Sequence, residues 1–391
     1  MTERVYLDWN ATAPLRPQAR AAMLAALDSP GNPSSVHGEG RAARQLIEQA
    51  RTQVAQLVGA EPRNVVFTSG GTEANMLALT PAMGTGRDAP PRDRLLVSAI
   101  EHPSVGSGGR FAPGAVEQVP VTAAGIVDLP ALASRLAVLA KEGVRPLVSI
   151  MAANNETGVV QPISEAARLV HDAGGLLHVD AVQVAGRMPC DINVLNADLL
   201  TVSAHKIGGP KGVGALVRRT EELHLQPLVR GGGQERGARA GTENVAGIAG
   251  FGAAAAAAQA GLADEGARMA ALRDRLESGL RASSPAVVIF GAGSERLPNT
   301  TLFTLPGLKA ETAVIAFDLA GVAVSSGAAC SSGKVQPSHV LAAMGVSAPQ
   351  AQGAVRVSLG PTTTEKEIER FLAAWIKVSA ALLNKSQGIA A

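Results

Sequence analysis

Residues 198–214 read DLLTVSAHKIGGPKGVG: an apolar run of strand length ends in the polar pair His205-Lys206, and a glycine-rich turn follows. Working upstream, four segments share that form: GLLHVDAVQ (175–183), RPLVSIMAANN (145–155), RLLVSAIEH (94–102) and NVVFTSG (64–70). Each follows a polar or helical stretch. The alternation predicts an α/β domain built around a mostly parallel sheet, whose strand ends open on a crevice. Ser164 with Glu165 ahead of AARLV reads as a helix opening, and Gly174-Gly175 as the close of the same helix.

Downstream, residues 245–283 turn rich in alanine and leucine with no strand signal, which predicts a long helix or helix pair. The most apolar part, near 250–263, is interrupted by Gly252, Gln259 and Gly261 and is expected to be a soluble helix too short to span a bilayer. After Pro285 the strand patterns AVVIFG, TTLFTL, VAVSS and AVRVSLG reappear between helical ones, which predicts a compact α+β domain. The expected division is a large domain over 16–250 and a smaller one made of 1–15 plus 251–391.

Composition narrows the function. Of 391 residues, 46% are hydrophobic and 17% charged, a globular balance. Thirty-five basic residues against 33 acidic ones give a net charge of +2 without a long run of one sign. That pattern has no nucleic-acid or anionic-membrane footprint and favours a small-molecule substrate. Two cysteines, Cys190 and Cys330, do not make a disulfide framework, and both are read as reduced. The first ten residues lack the basic and apolar regions of a signal peptide, so a cytoplasmic location is expected.

Three strand ends carry chemistry. Lys206 is one of only eight lysines against 27 arginines, and the plain alternative is a solvated loop lysine. Asp180 ends an apolar run, where a carboxylate is costly unless a cation or proton donor meets it; a satisfied structural carboxylate is the plain alternative. SGGTEAN, residues 69–75, follows a strand and opens a helix whose N-terminal amides can cradle an anion; otherwise it is an ordinary cap. It lacks the Gly-Lys-Ser/Thr ending of a Walker A loop. Together, a Schiff-base lysine, an aspartate for a pyridine nitrogen and a phosphate cup are the parts of a pyridoxal-phosphate site.

A fourth feature concerns the cysteines. Cys330 stands in SSGAACSSG, with no bulky side chain over residues 325–333, so an exposed, movable thiol is expected there. Cys190 in MPCDI reads as buried and inert.

The chain resembles the NifS/IscS-type cysteine desulfurases, a branch of the class V aminotransferase-like enzymes. The matching segments run nearly end to end: VYLDWNATAP, GNPSSVHGEGR, VFTSGGTEAN, EHPSV, NNETGVVQPI, HVDAVQ, SAHKIGGPKGVGAL, RGGGQERGARAGTENV, SSGAACSSG, PSHVL and VRVSLGPTTTE. The resemblance implies the type I fold of pyridoxal-phosphate-dependent transferases. It implies that Lys206 forms the Schiff base, Asp180 meets the pyridine nitrogen, Gln183 and Asn155 contact the phenolic oxygen, and His102 stacks on the ring. Gly71, Thr72, Ser203 and His205 then hold the phosphate, with Thr242 reaching across from a second subunit. Arg356 binds the substrate carboxylate, with Asn32 and Asn10 as weaker candidates for that pocket; a surface ion pair is the plain alternative for Arg356. No metal site is implied.

The implied reaction takes sulfur from L-cysteine onto Cys330 as a persulfide and releases alanine, with Lys206 moving the Cα proton and His102 assisting. The region from Ser325 through PSHVL resembles the long-loop group. Selenocysteine lyase, a transaminase and a catalytically silent sulfur-relay scaffold are the rivals. A homodimer and a sulfur-acceptor protein, such as an iron-sulfur scaffold or a tRNA-thiolation relay, are the implied partners.

Overall fold

The structure is a computed structural model that describes residues 4–86, 90–327 and 338–387. The apolar runs form strands because they can be buried on both faces: every residue of Pro146–Met151, Leu176–Asp180 and Leu199–Ser203 is buried. From edge to edge, the seven-stranded sheet runs Val65–Thr68, Gly214–Arg218, Leu199–Ser203, Leu176–Asp180, Pro146–Met151, Arg94–Ser98, Val116–Val119. Its last five members pair in parallel. Gly214–Arg218 runs antiparallel to both neighbours, so Thr68 and Ser203 align with Gly214 on one edge. The mostly parallel α/β sheet is the predicted one, and this edge carries the strand ends at which ligands bind in such sheets.

Helices cover both faces. One core gathers Ile47, Val54, Phe67, Val148, Val179 and Phe251, and the opposite face packs Leu77, Leu79, Met83 and Leu95. A four-stranded antiparallel sheet, ordered Val288–Phe290, Thr300–Thr304, Val355–Ser358, Ser325–Ser326, has its own core. There Phe317 stacks on Phe371 with ring centroids 5.2 Å apart, and Phe303 meets Trp375 edge-on at 5.1 Å. Each such side chain stabilises by about 1.5–3 kcal/mol through burial. The N-terminal strand Val5–Tyr6 pairs with Val322–Ala323, and Val5 and Leu7 enter this second core.

A single helix, Val245–Ser283, joins the two cores. Asn244 caps it by accepting from the Gly247 amide at 3.0 Å. Ile248, Phe251 and Ala258 pack in the first core, while Leu272, Leu276 and Leu280 pack in the second. The expected division at residue 250 therefore falls inside one continuous helix. The reading of 250–263 as too short to cross a bilayer is corrected: it belongs to a 39-residue helix that by length and apolarity would suffice. Packing accounts for that apolarity. A Cβ on Gly252 would lie 2.5 Å from the Ala50 Cα, so only glycine permits this close approach to the helix Gly38–Leu57. The helix opening expected at Ser164-Glu165 is present: the helix Ile163–Asp172 starts after Pro162, with Glu165 in its first turn, and the Ser164 hydroxyl donates to the Val194 carbonyl.

Candidate active site

At the common edge of the large sheet lies a cavity of about 260 Å³. Lys206 reaches it from the one-turn helix Ala204–Lys206 that ends the strand Leu199–Ser203. Its Nζ donates to the carbonyls of Asn10 and of Ala11, the latter at 2.9 Å. The amine is thus aimed by backbone acceptors.

Asp180 ends the neighbouring strand and is only 6% exposed. It accepts from Asn75 Nδ2 at 2.9 Å and from the Val182 amide at 3.0 Å. Both donors are neutral, so a buried negative charge faces the cavity with room for a cationic ring nitrogen. Among the described residues, Asn75 Oδ1 and Arg356 Nε are buried without a hydrogen-bond partner, the kind of orphaned atom a ligand satisfies.

Gly71 and Thr72 open the helix Gly71–Ala78 on the same side. The first turn of a helix leaves amides unpaired, and its dipole favours an anion. Gly214 is required behind this cup: a Cβ there would come within 2.6 Å of the Gly70 backbone. Ser203 and His205 line the cavity beside it. Burial, with Lys206, Lys211 and Arg187 nearby, pushes His205 down to about 4, so the ring is neutral at physiological pH.

His102 caps the short helix Pro103–Gly106, its Nδ1 accepting from the Ser104 amide at 3.1 Å. An accepting Nδ1 puts the ring proton of the neutral form on Nε2. Burial lowers its pKa, against the pull of Asp180, and Lys206 and His339 lower it further.

Arg356 enters from the four-stranded sheet, 2% exposed. Its Nη2 donates to Asp8 at 2.8 Å and its Nη1 to the Asn155 carbonyl at 2.9 Å. The surface alternative for Arg356 is thereby excluded. Asn10 donates through Nδ2 to Thr300 at 2.9 Å and, with Asn155 and Gln183, also borders the cavity.

Eleven of the fourteen expected positions therefore surround one cavity: Asn10, Gly71, Thr72, His102, Asn155, Asp180, Gln183, Ser203, His205, Lys206 and Arg356. Asn32 does not; it is exposed and accepts from the Ser34 amide at 2.9 Å. Thr242 lines a different depression of about 270 Å³, together with Ser69 and Gly212. Cys330 lies in residues 328–337, outside those described. Cys190 is buried, and burial and Asp191 push its thiol up to about 12.

Two carboxyl groups escaped the sequence reading. Glu101 accepts from Ser98 Oγ at 2.7 Å and from the Met151 amide at 2.6 Å through Oε1, while its Oε2 is buried without a partner among the described residues. Burial, with the Asp180 charge adding, pushes it up to about 8. Glu156 accepts from Ser338 Oγ at 2.5 Å, and burial raises it to about 7 against the attraction of Arg356. The signal available for each was its place just past an apolar strand, in IEH and NNE.

The profile of the aminotransferase class-V family matches residues 5–371. A cysteine desulfurase of Cereibacter sphaeroides is 46% identical over 376 residues, 95% of this chain and 94% of that one. The cysteine desulfurase NifS of Azotobacter vinelandii is 40% identical over 387 residues, 98% of this chain and 94% of the relative. Among solved structures, a NifS-like protein from Rickettsia africae superposes with a TM-score of 0.86 at 37% identity, covering 97% of this chain and all of the other. With these likenesses spanning both sheets and the cavity between them, the chain belongs to the aminotransferase class-V family, within its branch of NifS/IscS-type cysteine desulfurases.

Proposed function

We propose that this chain is a pyridoxal-phosphate-dependent cysteine desulfurase, which takes sulfur from L-cysteine, releases alanine and carries the sulfur as a persulfide on Cys330. The observation that carries the reading is the convergence of Lys206, Asp180 and Arg356 on one cavity. They offer an amine for an aldehyde, an anion for a pyridinium and a planar cation for a carboxylate.

The donor set suits the cofactor: Lys206 for its aldehyde carbon, Asp180 for its ring nitrogen, and Gly71, Thr72, Ser203 and His205 for its phosphate. Bound there, pyridoxal phosphate supplies an electron sink for the pair left at the substrate Cα. Arg356 then orients the substrate through its carboxylate. Lys206 Nζ, aimed by the carbonyls of Asn10 and Ala11, accepts the Cα proton. The neutral His102 holds a proton at Nε2 for the later steps. The Cys330 thiolate attacks the substrate sulfur; an S–S bond forms as the C–S bond breaks, and the electron pair stays with the carbon skeleton, which takes up protons and leaves as alanine.

A homodimer in which Thr242 completes the partner's phosphate site, a cytoplasmic location, and a sulfur acceptor of the iron-sulfur assembly or tRNA-thiolation type belong to the same reading. The test is mass spectrometry after one turnover with L-cysteine. One added sulfur is expected on Cys330, and Cys330→Ser is expected to keep the cofactor but make no persulfide. Sulfur on Cys190, or undiminished alanine from Cys330→Ser, would remove the reading.

A further inference from the structure

Arg187 sits behind Gln183, one turn further along the same irregular helical segment, and is only 7% exposed. That segment follows the strand Leu176–Asp180 and is closed by the bonds from the Val184 and Ala185 amides to the Ala181 carbonyl. Gly186, with φ at +73°, lets it press against Ile207 and Ala258: a Cβ there would come within 2.9 Å of the Ile207 side chain. The Arg187 side chain is thereby held in place.

Its hydrogen bonds among the described residues go to neutral oxygens. Nη1 donates to the Gln183 carbonyl at 3.1 Å and to Gln183 Oε1. Nη2 donates to the Trp9 carbonyl at 3.3 Å and to the Lys206 carbonyl at 3.4 Å. A guanidinium has five donors and no acceptor. The Gln183 amide can therefore face Arg187 only with its oxygen, and its Nε2 is turned the other way. There Nε2 donates to the Asn10 carbonyl at 3.1 Å, the same carbonyl that receives the Lys206 amine. Without Arg187 the amide could turn over and offer its oxygen instead, since terminal amide torsions are close to two-fold.

We propose that Arg187 is a positioning residue that locks the Gln183 amide so that it presents a hydrogen-bond donor to the active-site cavity. This rests on the pyridoxal-phosphate reading, in which the acceptor is the cofactor's phenolic oxygen. A fixed donor there favours the phenolate, and the nearby cation acts in the same sense. Both lower the proton affinity of the Lys206 nitrogen joined to the cofactor. Around this point Asp180 stands at the end of its strand and Glu101 just past the strand Arg94–Ser98, with His102 and His205 on the adjoining turns and Arg356 with Asp8 on the opposite wall.

The test is a pH titration of the visible absorption of the holoprotein, read without substrate. Arg187→Met is expected to move the midpoint up by about one pH unit, the size of a hydrogen bond to a charged acceptor. Arg187→Lys keeps the cation and most of the packing but loses the fork, so a smaller upward shift is expected. In a Gln183→Met background, Arg187→Met is expected to add less than it does alone, because the amide it orients is gone. A midpoint unmoved in both single variants, or an equal shift in the Gln183→Met background, overturns the proposal while leaving the cofactor reading intact. Failure of wild type to develop a visible band with pyridoxal phosphate removes both.

Discussion

The two walls of the cavity are built in different ways. One wall is the edge of the seven-stranded sheet, where Asp180, Ser203 and Lys206 stand at or just past the ends of two adjacent parallel strands, whose register sets Asp180 beside Thr201. The other wall comes from the four-stranded sheet and the N-terminal segment, where Arg356 is joined to Asp8 and Asn10 to Thr300 across 348 and 290 residues. The first wall is positioned by strand geometry, so each residue depends on its own strand. The second depends on polar contacts between distant segments. A change on the first wall should therefore delete a chemical function, and one on the second should loosen substrate positioning.

The largest effect is expected on the first wall. Lys206→Ala removes both the amine that joins the cofactor and the base for the Cα proton, while the strand beneath stays packed. Turnover of L-cysteine is expected to fall on the order of a thousandfold or more. Loss of the visible absorption band, with an unchanged melting transition of the apoprotein, is the accompanying check. Retained turnover would break the contrast between the walls.

On the second wall, Arg356→Lys keeps a cation for Asp8 but cannot grip a carboxylate with two parallel donors. The loss expected is roughly 1.5–3 kcal/mol of binding to a charged group, about ten- to a hundredfold in kcat/KM, with KM rising. The absorption band should persist. Steady-state kinetics beside the spectrum separates the two walls: Lys206→Ala loses both signals, and Arg356→Lys only the first.

The same contrast decides what could be read from the sequence. Asp180 and Lys206 were legible because each breaks an apolar run, and SGGTEAN because small residues between strand and helix have a physical use. The resemblance, not the pattern, supplied Asn10, Asn155 and Arg356. Their approach is a matter of tertiary contact between segments that carry no local mark of each other. Arg187 stands four residues from Gln183 and carries no local mark, since a turn that brings i and i+4 together has no signature outside a regular helix. The 39-residue helix was legible as a helix, but not that its apolar length serves two cores.

The smallest effect on rate is expected from Glu101→Gln, beneath the first wall. Glu101 is buried, and its carboxyl is pushed up to about 8, whereas in the unfolded chain it ionises near the ordinary value of 4.5. Between those two values the folded protein holds a proton that the unfolded chain has released. Stability therefore falls as pH rises from about 4.5, and levels off above about 8 once the folded form ionises too. The amide introduced by Glu101→Gln has no proton to lose. Its oxygen can still accept from Ser98 and Met151, and its nitrogen takes the place of the unpaired Oε2. One unsatisfied polar atom thus remains in either form, so near pH 5 the two proteins should differ little. By pH 8 the variant should be the more stable, on the order of 1–3 kcal/mol, because the penalty of a buried carboxylate beside Asp180 has gone. Chemical denaturation of both apoproteins at steps from pH 5 to pH 8 measures the difference directly. A gap that stays constant over that range would mean that Glu101 is ionised in the fold throughout, and that the first wall carries two negative charges rather than one.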